Sequence, residues 1–154
     1  MNPRRRARAF ALQALSAADV AGGDGSTLAR LWDARLEDDA ETPEAPVSEE
    51  EAGFAREVVD GVLAERDSID GRIEAVSHHW RIARMPLVDR NILRMGTWEL
   101  LHRDDIPAPV TINEGLELAK TYGGADSRAF VNGVLDRMAG ELGRGGRSQA
   151  GKRK

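Results

Sequence analysis

Apolar residues recur at helical spacing along almost the whole chain, and no convincing strand pattern interrupts them. Ala7, Phe10, Ala11, Ala14, Leu15 and Ala18 fall at the three-and-four spacing of one helix face, with Arg5, Arg8 and Gln13 on other sides. Gly22, Gly23 and Gly25 end this first helix, and Ser26 or Thr27 caps a second whose Leu28, Leu31, Trp32 and Arg35 share a side. An acidic, Pro-containing loop follows over about 37–47. Ser48 and Glu51 then have the spacing of a capping box, in which the hydroxyl satisfies one free helix amide and the carboxylate reaches back to another. The third helix runs through Ala55, Val58, Val59, Val62 and Leu63. Asp67 or Ser68 caps a fourth, with Ile69, Ile73, Val76 and Trp80 as its buried stripe.

The second half is more strongly patterned. Pro86 suits a helix's first turn, and Leu87, Val88, Ile92, Leu93, Met95, Trp98, Leu100 and Leu101 make the following helix apolar on more than one side, which marks it as central. Ile106-Pro107-Ala108-Pro109 cannot continue a helix, and Thr111 with Glu114 has the spacing of a second capping box. Gly123 and Gly124 supply left-handed geometry to close that helix. Asp126 or Ser127 caps the last one, whose stripe is Phe130, Val131, Val134, Leu135, Met138 and Leu142. Asn132 and Gly133 read as packing features, a buried amide and a close helix approach. Arg90 and Arg94 pair with Glu99 or Glu117 or reach the surface, and the sequence does not choose between these. The pattern predicts an all-α fold of about seven helices, one helical domain over 1–142 and a flexible basic tail over 143–154.

Composition narrows the class. The chain has 154 residues, 41% hydrophobic and 31% charged, and no apolar run approaches the roughly 20 residues of a spanning helix. A soluble protein is expected, with no membrane partner. The basic N-terminus leads into a broken Ala/Leu pattern rather than a continuous apolar core with a cleavage site, so export is not expected. Absence of cysteine removes disulfides, thiolate metal sites and cysteine nucleophiles together, and suits a reducing cytoplasm.

Catalytic constellations find little support. His78 and His79 are adjacent and point in different directions on a helix, and His102 has no carboxylate or histidine four residues on. The Gly-rich pieces GGDG and GRGG lack the Lys and Ser/Thr of a phosphate-cradling loop. No enzyme, no metal and no cofactor is expected.

Charge distribution points to recognition instead. The net charge is −4, yet residues 1–10 hold four arginines and no acid, residues 143–154 hold five basic residues and no acid, and residues 37–51 hold eight acids and no base. Phosphate binding depends on charge within about a Debye length, roughly 8 Å at physiological salt, so the local clusters matter more than the sum. Arg4, Arg5, Arg6 and Arg8 form such a cluster at a helix N-terminus, where cations oppose the helix dipole. The start of the last helix, with free amides near Asp126, Ser127 and Arg128, is a second natural phosphate site. Phe130, one turn further, is a core residue by spacing and a base-stacking residue by position.

Three segments together, RRRARAFALQAL, VDRNILRMGTWELL and INEGLELAKTYGGADSRAFVNGVLDRMA, resemble the NusB family of bacterial transcription antitermination factors. The resemblance implies an all-helical NusB-like fold of two helical subdomains without catalytic activity. It implies pairing with NusE, a small-subunit ribosomal protein, and joint binding of boxA-type single-stranded RNA within a transcription elongation complex, including ribosomal RNA leaders. It also assigns RNA contacts to Arg4, Arg5, Arg6, Arg8, Gln13, Asp126, Ser127 and Phe130, and a NusE contact to Asp89. Ser16 stands where the family often has an aromatic residue after the QAL motif. Asp126 beside RNA needs a reason, since a carboxylate repels phosphate; helix capping, acceptance from base amino groups and tempering of affinity are the three available.

The expected arrangement places the opening arginines and the start of the last helix on one RNA surface, with the protein partner on another side. Two alternatives stand beside it. One is a protein-interaction or assembly module, and the other is a NusB-like domain associated with an rRNA methyltransferase, for which the 154 residues leave no catalytic region. A homodimer that would mask the arginine surface is an oligomeric state the sequence leaves open.

Overall fold

A computed structural model of the chain describes residues 3–22, 48–78 and 80–144. Among these residues there are six α-helices, one short 3-10 helix and no strand: α1 (Pro3–Ala21), α2 (Glu49–Ala64), α3 (Arg66–Val76), the 3-10 turn Ile82–Arg84, α4 (Leu87–His102), α5 (Ala108–Tyr122) and α6 (Ser127–Glu141). The expected second helix around Leu28–Arg35, the acidic loop and the tail beyond Arg144 lie outside the described residues. None of the described helices is long and apolar enough to cross a membrane. The chain divides into two compact units, Met1–Ala64 and Glu65–Lys154.

In the first unit α1 packs on α2. Ala7, Phe10, Ala11, Ala14, Leu15 and Ala18 are all buried, as their spacing predicts, and they share a core with Phe54, Ala55, Val58, Val59 and Val62. Four of the six α1 residues are alanines, so side chains contribute little bulk where the helices meet. Gly22 takes a left-handed φ of 69° and ends α1, the conformation glycine adopts without a Cβ penalty. The capping box at the start of α2 forms as its residues predict: the Glu51 amide donates to Ser48 Oγ at 3.1 Å, and the Ser48 amide donates to Glu51 Oε1 at 3.3 Å.

The second unit is built around α4. Every residue from Asn91 to Leu100 is buried, and α4 packs on α3, α5 and α6. Gly96 permits the closest approach: a Cβ there would lie 2.8 Å from Leu135 Cδ2 on α6. Gly115 on α5 faces the same leucine, where a Cβ would lie 3.0 Å from Cδ1.

Several helix ends differ from their sequence reading. Pro107 is the N-cap of α5 and Pro109 falls in its first turn, where a missing N–H costs nothing, so the helix starts before Thr111. The Thr111 hydroxyl instead donates to buried Glu99 at 3.1 Å. Gly123 is extended (φ −91°, ψ −173°) rather than left-handed. Glu65, not Asp67 or Ser68, is the N-cap of α3. Asn132 is exposed, and Gly133 makes only ordinary contact with Arg137, so neither is the packing feature expected.

Candidate nucleic-acid interface

The arginine cluster of α1 faces two kinds of neighbour on α2. The first turn of α2 carries Glu49, Glu50 and Glu51, which suits a helix N-terminus and also supplies the countercharge that the basic start of α1 lacks. Arg6, 8% exposed, forks onto Glu51 with Nε at 2.5 Å from Oε2 and Nη2 at 2.8 Å from Oε1. Burial pushes the Glu51 carboxyl up. Hydrogen bonds from Arg6 and from the Ser48 backbone, the Arg6 charge and the Ser48 hydroxyl together outweigh it and hold the group below its ordinary 4.5. Arg4 and Arg8, one helical turn apart, both lie over the Phe54 ring, their guanidinium carbons 4.4 and 5.2 Å from its centroid.

Of the five α1 residues expected to meet RNA, Arg6 and Arg8 are therefore buried, Arg4 and Arg5 are half-buried, and Gln13 is exposed. For Arg6 the observed contact is structural. Its partner is 45 residues away, so no local spacing announces it.

At the start of α6 the key group is Ser127, 5% exposed. Its hydroxyl donates to Asp89 Oδ1 at 2.6 Å and accepts the Gly124 amide at 2.9 Å. This geometry explains Gly123, because a Cβ at that position would lie 2.6 Å from Ser127 Cβ and Oγ and 2.7 Å from the Ala119 carbonyl oxygen. Asp89, expected at a protein partner, is only 3% exposed and supports Ser127 from the first turn of α4. Asp126 occupies the N-cap position, yet its side chain makes no capping hydrogen bond and is exposed. Capping is thereby removed from the three reasons for a carboxylate here.

Phe130 is half-buried and rests against Trp80, with ring centroids 5.6 Å apart and planes tilted by 46°. Trp80 was expected in the buried stripe of the fourth predicted helix. That helix, α3, ends at Val76, and Trp80 stands beyond it, 52% exposed. The available signal was local: a lone tryptophan between histidines and Arg81 and Arg84, an aromatic interleaved with bases.

Other charged residues of the second unit make contacts within the fold. Arg94 pairs bidentately with Asp70 at 2.8 and 3.0 Å and also bonds Asn91. His102 Nε2 lies 2.7 Å from a Glu65 carboxylate oxygen. His79 lies outside the described residues. Arg144, placed by its sequence in the tail, donates to the carbonyls of Leu100 and Ile106 at 2.8 and 2.7 Å and so belongs to the fold.

Comparison with known proteins matches the NusB family model to residues 5–140. The transcription antitermination protein NusB of Geotalea uraniireducens (strain Rf4) is 46% identical over 142 residues, covering 92% of this chain and 97% of that protein. The protein of the same name from Anaeromyxobacter sp. (strain Fw109-5) is 49% identical over 140 residues, 90% of this chain and 91% of its own. Among solved structures, NusB of T. maritima superposes with a TM-score of 0.78 at 35% identity, over 92% of this chain and 93% of that one. A structure of the antitermination factors NusB and NusE in complex with dsRNA gives 0.74 at 25% identity, over 92% and 98%.

Proposed function

The chain belongs to the NusB family, and on that premise we propose that it is a non-enzymatic transcription antitermination factor. It binds boxA-type RNA together with NusE, within the transcription elongation complex, and supports ribosomal RNA transcription in the cytoplasm. The observation that carries the reading is the extent of the likeness, which runs from the arginine cluster of α1 through the turn before α6 to the end of that helix.

Arg4, Arg5 and Gln13 contribute RNA contacts from α1. Arg6 and Arg8 act by fixing α1 against α2, so that the accessible members of the cluster are held in one register. Asp126 accepts from base amino groups, and Phe130 offers ring surface. Ser127 and Asp89 set the turn that presents them. Asp89 reaches NusE through the same turn, so a change there alters partner capture as well as RNA affinity.

Recovery of NusE and ribosomal leader fragments in a pull-down from bacterial lysate, with the bound RNA sequenced, tests both partners at once. A titration adds the physical check: affinity for single-stranded RNA falls with salt at a log–log slope of about −0.7 per phosphate contacted. Binding indifferent to salt and to scrambling of the boxA sequence refutes the proposal. An assembly-module reading takes its place if Arg4 and Arg5 can both become alanine without loss of RNA affinity while substitution of Asp89 abolishes NusE capture.

A further inference from the structure

We propose that the indole of Trp80 is a stacking platform for an unpaired RNA base, backed by Phe130 and flanked by the guanidinium groups of Arg81 and Arg84; the inference rests on the RNA-binding reading above. Trp80 is the largest of the exposed apolar side chains among the described residues. The described residues around it are held by hydrogen bonds. The Trp80 amide donates to the Ser77 carbonyl at 3.3 Å, and the Ser77 hydroxyl donates to the Trp80 carbonyl at 3.0 Å. On one side Arg137 Nε donates to the Val76 carbonyl at 2.6 Å, and on the other the Ile82 amide donates to Glu74 Oε2 at 2.9 Å. His78, with φ of 55°, makes the left-handed step that turns the chain out of α3.

Hydrogen bonds thus hold the Val76 and Ile82 flanks and the Trp80 backbone itself, while Trp80 stays 52% exposed. A tryptophan whose backbone and flanks are hydrogen-bonded leaves less conformational freedom for a ligand to remove. Phe130 supports one part of the indole, which leaves the rest for an incoming ring. The charge pattern selects the occupant. Arg81 and Arg84 are exposed, no acid occurs from His78 to Arg84, and nearby Glu74 is already engaged by the Ile82 amide. Two exposed arginines next to the ring in sequence favour an anionic occupant, and a nucleotide presents a π-face and a phosphate together.

The test labels the full chain with 5-fluorotryptophan and titrates it with a boxA-type single-stranded oligoribonucleotide. The Trp80 fluorine resonance is identified by its loss in Trp80→Phe, and it is expected to shift as RNA binds. Trp80→Ala weakens RNA binding about tenfold, the order expected for loss of one stacked base, while Trp80→Phe keeps most of the affinity. The salt slope is unchanged in Trp80→Ala but becomes shallower by roughly 0.7 for each of Arg81→Ala and Arg84→Ala. Thermal melts of the two Trp80 variants separate lost folding from lost stacking.

A wild-type chain that binds RNA while the Trp80 signal stays fixed and Trp80→Ala binds equally well overturns the platform and leaves the RNA-binding reading standing. Retained RNA affinity in Trp80→Ala with lost NusE capture overturns it in favour of a protein-docking surface. A wild-type chain that binds no RNA removes the underlying reading and the platform with it.

Discussion

Arg6 on α1 and Ser127 at the start of α6 both belong to segments whose sequence points to RNA, and both turn their polar groups inward, but by different chemistry. Arg6 meets a full countercharge on a neighbouring helix, at a carboxylate that also closes the capping box of that helix. Ser127 is a neutral hydroxyl that donates to one carboxylate and accepts one amide, with a glycine making room beside it. In the first region a charge is neutralised by the fold, Arg8 is buried as well, and Arg4 and Arg5 are the half-buried members nearest to solvent. In the second the fold uses only uncharged parts of the motif, and Asp126 stays in solvent. A cluster of like charges in a sequence therefore counts potential contacts, whereas packing decides which of them are spent on folding.

The largest expected effect breaks the first region. Glu51→Ala removes one member of a buried ion pair and opens the capping box, so a loss of about 3–5 kcal/mol is expected in urea denaturation. A loss below about 1 kcal/mol, the range of an exposed pair, would mean that Arg6 is not held as described. The second region should respond less. Asp89→Ala deletes a hydrogen bond between a carboxylate and a buried hydroxyl, for which about 1.5–3 kcal/mol is expected, with weakened RNA binding because the turn before α6 shifts. Unchanged stability and RNA affinity in that variant would separate Asp89 from the site.

The smallest effect distinguishes the two regions by titration. Because the folded-state Glu51 carboxyl lies below its ordinary 4.5, its contribution is fully present at neutral pH and is lost as pH falls from that ordinary value through the lower folded one. Glu51→Gln should be less stable near neutrality yet lose nothing further from this group over the acid window. Equal acid sensitivity in the two proteins, followed by circular dichroism, would assign the effect to other carboxylates.

Helix positions were largely legible because the apolar period is strong: all six residues of the α1 stripe are buried, as are Val131, Val134, Leu135 and Met138 of α6. The errors cluster at helix ends, where several residues compete for one role. Val76 and Trp80 continue the spacing of Ile69 and Ile73, but the left-handed His78 breaks the helix between them, and periodicity carries no signal of such a break. Thr111 and Glu114 have capping-box spacing inside a helix that two prolines had already begun. The candidate site was legible in its residue types and not in their orientation. Arg6 with Glu51, Arg94 with Asp70 and Ser127 with Asp89 are separated by 45, 24 and 38 residues, and no window read along the chain contains both partners.

Leu135 carries one more implication. Its isobutyl group sits where both Gly96 and Gly115 would place a methyl, so three helices share a single wedge. Alanine at either glycine makes that leucine give way, further for Gly96 than for Gly115, and the second alanine then meets a neighbour that has already moved. The two substitutions should therefore be epistatic, with a combined penalty smaller than their sum. Shortening Leu135 should relieve both, so the tolerance of α4 and α5 to change is set from α6.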